Sequence, residues 1–114
     1  MKYQMKLNSG EFIRMKTGEK TLEYRLCDEK RRKIKIGDEI EFLKLPYMDE
    51  IILTKVEKLY VYKTWVECYK KFFKEDLSRF YRTVNEVVED TYNNFYSKEE
   101  EEKYGCMAIR IKKI

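Results

Sequence analysis

Lys20, Glu23 and Arg25 are the densest cluster of chemically capable side chains in the sequence. They lie within Gly18-Glu19-Lys20-Thr21-Leu22-Glu23-Tyr24-Arg25. An ammonium is a compact point charge, and a guanidinium is a planar fork that matches a phosphate or the edge of a base. A carboxylate between them can orient the guanidinium or accept a hydrogen bond from an exocyclic amine. A site for bare phosphate would exclude that carboxylate, so the mixture suits a nucleotide. Other chemistries are excluded. The chain has no histidine, which removes Ser-His-Asp and Cys-His nucleophiles and every imidazole metal site. Cys27, Cys68 and Cys106 are far apart and odd in number, without C-x-x-C spacing. They read as reduced thiols of a cytoplasmic protein. No metal and no cofactor are expected.

The elements that must hold this cluster follow from periodicity. Thr21–Leu26 alternates: Leu22, Tyr24 and Leu26 face one way, Thr21, Glu23 and Arg25 the other. Glu23 and Arg25 therefore project from one strand face about 6.6 Å apart. That face is expected to be open, with Lys20 delivered to its mouth by a tight turn at Gly18. Upstream, Met1–Leu7 reads as a strand. Asn8 and Glu11 stand at N-cap and N3 of a short helix running to about Thr17, with Phe12, Met15 and Ile13 inward. Gly18 stands where a C′ glycine belongs. Downstream, Asp28–Lys35 is a polar connection. Glu39–Leu45 and Ile51–Tyr62 are strands joined by a loop at Pro46–Glu50. Thr64-x-x-Glu67, Thr83-x-x-Glu86 and Ser97-x-x-Glu100 each announce a helix start. Val84, Val87, Val88, Thr91 and Phe95 recur at helical spacing, and Cys106–Ile114 alternates again with Met107, Ile109 and Ile111 on one side. The order β-α-β-β-β-α-α-α-β defines an α+β domain, with residues 1–114 as a single unit.

Composition bounds the function. The 114 residues are 43% hydrophobic and 40% charged, but 25 basic and 21 acidic residues leave a net charge of only +4. The balance permits a polyanionic partner without demanding one. The N-terminal Met-Lys-Tyr-Gln-Met-Lys has no apolar signal region, and no run approaches a membrane span, so a cytoplasmic location without membrane contact is expected. Five of the six residues Lys30–Lys35 are basic, which makes Arg31 and Arg32 candidates for phosphate contacts. The aromatic residues occupy mostly apolar positions and are expected in the core. Tyr96 and Tyr104, flanking the last helix, are the candidates for stacking on bases. Glu99–Glu102 reads as a solvated helix start favoured by the helix dipole.

Gly18-x-Lys20-x-x-Glu23-x-Arg25, after a short helix and at the start of the second strand, resembles the G-x-K-x-x-E-x-R signature of the ASCH (activating-signal-cointegrator homology) family. Two other stretches resemble small stand-alone bacterial and archaeal members. One is Asp28-Glu29-Lys30-Arg31-Arg32 leading to Ile36-Gly37-Asp38. The other is Tyr96-Ser97-Lys98-Glu99 through Tyr104-Gly105 before a final strand. The resemblance covers most of the chain. It implies a PUA-like fold, a small and partly open β-barrel with flanking helices. It also implies an RNA, nucleotide or nucleoside ligand in a cleft lined by the signature. Carried over by position, the cleft residues are Gly18, Lys20, Thr21, Glu23 and Arg25. One branch of the family resembles an amidohydrolase of acetylated cytidine, with a Lys base, a Thr nucleophile and a Glu acid. Lys20 matches the base, but Glu23 occupies the nucleophile's position. Another branch is connected with cleavage of single-stranded RNA, where Glu23 would act as base and Lys20 or Arg25 would stabilise the phosphorane. A binding module is the reading preferred here. A small hydrolase using Lys20 and Glu23 is the alternative, and a regulatory protein-interaction domain is a second.

Overall fold

The computed structural model describes residues Met1–Ile114. In chain order the elements are β1 (Lys2–Leu7), α1 (Ser9–Lys16), β2 (Leu22–Leu26), β3 (Glu39–Lys44), β4 (Ile51–Tyr62), α2 (Trp65–Phe72), α3 (Val84–Asn94), α4 (Lys98–Tyr104) and β5 (Cys106–Lys113). Single 3-10 turns lie at Arg31–Lys33 and Leu77–Arg79. The five strands form one mixed sheet in the order β1-β3-β4-β5-β2, so the chain is α+β as expected. By contact density it divides into two compact units. The first comprises Met1–Glu23, Ile34–Leu59 and Ile109–Ile114; the second comprises Tyr24–Lys33 and Tyr60–Ala108.

In the first unit β1 pairs parallel with β3, from Lys2 opposite Glu39 to Leu7 opposite Lys44. The intervening stretch holds a helix and a strand, the length a parallel crossover needs. β3 pairs antiparallel with β4, with Ile40 opposite Thr54 and Phe42 opposite Ile52. Alternation then puts Met5, Leu7, Ile40, Phe42, Ile52, Thr54 and Val56 on one buried face. Fully burying an Ile or Phe is worth about 1.5–3 kcal/mol each. Thr54 is tolerated there because its hydroxyl donates to the carbonyl of Ile40 at 2.9 Å. Helix α1 starts where the Asn8 side chain accepts from the amide of Glu11 at 2.9 Å. It lies against β3 and buries Phe12 and Met15. Ile13, expected inward, is 52% exposed. A two-turn helix buries one narrow stripe, and Phe12 and Met15 fill it.

In the second unit Thr64, Thr83 and Ser97 each cap a helix by accepting from the amide three residues on. At Ser97 the reciprocal bond from Glu100 completes a capping box. Helix α2 buries Trp65, Cys68, Tyr69 and Phe72, the i, i+3, i+4, i+7 stripe of an amphipathic helix. It packs on α3, which buries Val87, Val88 and Thr91, and the Tyr69 and Thr91 hydroxyls meet at 2.7 Å. Three expectations fail here. Phe95 is 65% exposed, because α3 ends at Asn94 and Phe95 leaves the helical conformation as its C-cap. Glu101 is not part of a solvated row but is buried. Its carboxylate accepts from the amide of Trp65 at 2.7 Å and from the hydroxyl of Tyr92 at 2.5 Å, filling a vacancy at the N-terminus of α2. Of the ten tyrosines, Tyr69 alone is fully buried. Eight others are half-buried, as an amphipathic ring often is, and Tyr47 is exposed. Cys27, Cys68 and Cys106 are all free thiols and all buried.

Candidate functional site

The turn from α1 into β2 sets the site. Gly18 has φ +87°, a conformation other residues adopt at a cost. Its amide donates to the carbonyl of Met15 at 3.1 Å, and the amide of Lys20 to the carbonyl of Arg14 at 3.0 Å. The turn thus folds Lys20 inward. Lys20 is 5% exposed and Glu23 is 6% exposed, so neither stands on the open surface expected from alternation. Leu22, on the opposite face of the strand, is buried too. A strand covered on both sides admits a carboxylate only where a cation compensates it.

Lys20 is that cation. Its Nζ lies 3.1 Å from Glu23 Oε1 and 3.1 Å from Glu11 Oε2, and donates to the carbonyl of Leu22 at 2.7 Å. Glu11 also binds Arg14 Nη2 at 3.0 Å, and Arg14 Nε lies 3.5 Å from Glu19 Oε2. Burial alone would pull the lysine pKa down, but the charges of Glu23 and Glu11 outweigh it and raise it above the ordinary value. Lys20 is therefore an ammonium throughout the neutral range and has no lone pair to act as a base.

A cavity of about 390 Å³ opens beside this ion cluster. Gly18, Lys20 and Thr21 line it from the signature. Arg110, Lys112 and Lys113 line it from the end of β5, and Glu57 from β4 adds a single carboxylate. Met15 and Ile111 supply apolar surface. The two sequence segments meet because the amide of Ile111 donates to the carbonyl of Thr21 at 2.9 Å. Lys113 Nζ is held at 2.6 Å by the carbonyl of Lys16, the last residue of α1.

The other expected residues fall elsewhere. Glu23 is not part of the cavity lining; it positions Lys20. Arg25, Arg31, Arg32, Tyr96 and Tyr104 all belong to the second unit. Arg25 is half-buried in β2. Arg31 is paired with Asp28, Nη1 to Oδ2 at 3.0 Å, and Arg32 is exposed beside it. Tyr96 is half-buried and stacked on Trp65, with ring centroids 5.7 Å apart and planes 14° from parallel. Trp65 stacks in turn on Tyr69 at 5.3 Å. Tyr104 is half-buried under the ammonium of Lys103, 5.1 Å from its ring centroid. Sequence reading missed Glu11, Glu57, Arg110, Lys112 and Lys113. The signal for two of them was present: if Met107, Ile109 and Ile111 face inward, Arg110 and Lys112 share the other face of β5.

A mixed five-stranded sheet with four helices and this connectivity is a PUA-like fold. The chain belongs to the ASCH domain family, whose profile matches residues 5–114. Over the full length of both chains it is similar to the crystal structure of hypothetical protein PH0355, with 37% identity and a TM-score of 0.84. It is also similar to the solution NMR structure of protein PF0455 from Pyrococcus furiosus. That match has 32% identity and a TM-score of 0.76, and covers 100% of this chain and 98% of the other. No protein with a curated description matches it. None of its helices is long and apolar enough to cross a membrane.

Proposed function

We propose that this chain is a cytoplasmic RNA-binding module, acting as one domain, that receives a nucleotide unit in the cavity beside Gly18, Lys20 and Thr21. Membership of the ASCH family, generally thought to bind RNA through a PUA-like domain, supports the class. The observation that carries the reading is the cavity itself. It has the volume of a small-ligand site, its lining holds four cationic side chains, and the signature residues Gly18 and Lys20 reach it with Thr21. Apolar surface from Met15 and Ile111 offers a base a face to rest on, and Glu57 offers an acceptor for a ribose hydroxyl or an exocyclic amine.

Binding fits better than hydrolysis. An amidohydrolase base at Lys20 needs a neutral amine, whereas Glu23 and Glu11 keep the ammonium charged. A general base at Glu23 must reach a substrate hydroxyl, whereas its carboxylate is buried against Lys20. The test is a fluorescence-anisotropy titration of short single-stranded RNA at 50 mM salt. The wild type is expected to bind. Thr21→Tyr, which fills the cavity from an exposed position, is expected to weaken binding by at least about tenfold while remaining folded. Absence of RNA binding at that salt, or an unaffected Thr21→Tyr variant, defeats the reading.

A further inference from the structure

We infer that Glu57 reads the sugar of the ligand: its carboxylate accepts a hydrogen bond from the 2′-hydroxyl of a ribonucleotide seated in the cavity, so the site takes RNA in preference to DNA. This rests on the proposed RNA-binding reading and names the group by which the cavity recognises its ligand.

The acids around the signature are satisfied inside the protein. Lys20 lies 3.1 Å from both Glu11 and Glu23, and Arg14 lies 3.5 Å from Glu19. Glu57 differs. It is the one acid in the cavity lining, it is exposed, and its carboxylate makes no hydrogen bond or ion pair within the chain. A carboxylate offers acceptors only. In the wall of a site for a polyanion it opposes phosphate unless the ligand brings a donor to it.

A nucleotide has two kinds of donor, the sugar hydroxyls and the N–H groups of the base edge. Position chooses between them. Strands β4 and β5 are neighbours in the sheet, and the amide of Ile114 donates to the carbonyl of Leu53 at 3.0 Å. Glu57 of β4 and Lys112 of β5 therefore enter the lining from adjoining strands, which run about 4.8 Å apart. Lys112 is exposed and makes no ion pair within the chain. An acceptor and a cation side by side match the sugar–phosphate part of a nucleotide, where one ring bears both the hydroxyl and the phosphate. The amines of a base edge lie at the far end from the phosphate, and Met15 and Ile111 offer that end apolar surface. About 390 Å³, within the roughly 300–1,000 Å³ that ligand sites span, has room for one such unit. Every ribonucleotide carries the hydroxyl, so the contact tells RNA from DNA without reading sequence. A deoxyribose leaves the carboxylate covered and unpaired, a cost that falls on DNA alone.

The test titrates three short probes of one sequence by fluorescence anisotropy: RNA, DNA with deoxyuridine for thymidine, and 2′-O-methyl RNA, which keeps the oxygen and lacks the proton. Wild type and Glu57→Ala are compared, with thermal melts to show both folded. A general loss of affinity moves all three probes together, so the ratio between them is the readout. Wild type is expected to bind RNA at least about tenfold more tightly than either other probe, and Glu57→Ala to bring both ratios near unity. If wild type binds RNA and DNA equally, if the 2′-O-methyl probe binds as RNA does, or if Glu57→Ala keeps the ratios, the inference fails and the RNA-binding reading stands. If no RNA binds, that reading fails, and ribonucleoside monophosphates against their 2′-deoxy counterparts decide the sugar contact. A ribose preference lost in Glu57→Ala upholds it; no preference, or no binding, removes it.

Discussion

At the scale of single residues, Lys20 is as much a structural cation as a ligand group. Removing it takes the ammonium away from the buried carboxylate of Glu23, so Lys20→Met is expected to destabilise the fold by roughly 3–5 kcal/mol, read as a lowered urea midpoint. That is why the cavity is better tested at Thr21 or Lys112. The pH dependence has a definite sign. Lys20 has a pKa raised above 10.5 in the folded chain, so its contribution is complete below 10.5 and lost as pH climbs through the folded value. Tyr92 behaves the same way: burial, then its hydrogen bond to Glu101, pushes it up to about 12 from 10.0. Stability measured by chemical denaturation is therefore expected to fall between about pH 10 and 12 from Tyr92, and above 10.5 from Lys20. Tyr92→Phe is expected to make that fall shallower. An unchanged slope would show that Tyr92 does not contribute to that fall.

At the scale of elements, three helices begin on a hydroxyl that the sequence announces, and each announcement is met in the structure. Ser97→Ala removes the hydroxyl half of the capping box of α4, leaving the backbone bond to Glu100, and is expected to cost about 1 kcal/mol by thermal or urea unfolding. Gly105, between α4 and β5, is less replaceable than Gly18. A Cβ there would lie 2.7 Å from the backbone oxygen of Tyr62, at φ +70°, while one at Gly18 meets nothing within 4 Å. Gly105→Ala is therefore expected to lower the melting temperature more than Gly18→Ala, a ranking that side-by-side melts can check. The β5 strand shows how function hides in an element. Its alternation was legible, and so was its buried face. That the other face carries cations into a cavity with Thr21 depends on the β5–β2 pairing, which no local pattern records.

At the scale of the whole molecule, a net charge of +4 is too small to hold RNA by a general field. Affinity is expected to depend on a few local contacts. For three cations on single-stranded RNA, the slope of log affinity against log salt should be about −2, and Lys112→Ala should flatten it by about 0.7. A much steeper slope would mean that phosphates contact other basic segments, Lys30–Lys35 first among them. The sequence alone determined the kind and order of elements, because capping residues, glycine turns and apolar period are local in the chain. It also carried the family signature at Gly18, Lys20, Glu23 and Arg25. Only the tertiary structure decided the state of those side chains. Alternation leaves the Glu23 face of β2 open, but burial on both sides of the strand turns Glu23 and Lys20 inward, and Glu101 inward from a row of four acids. Burial is set by what packs across from a residue, often dozens of positions away in the chain. A periodic pattern can say which side chains share a face and not what covers that face.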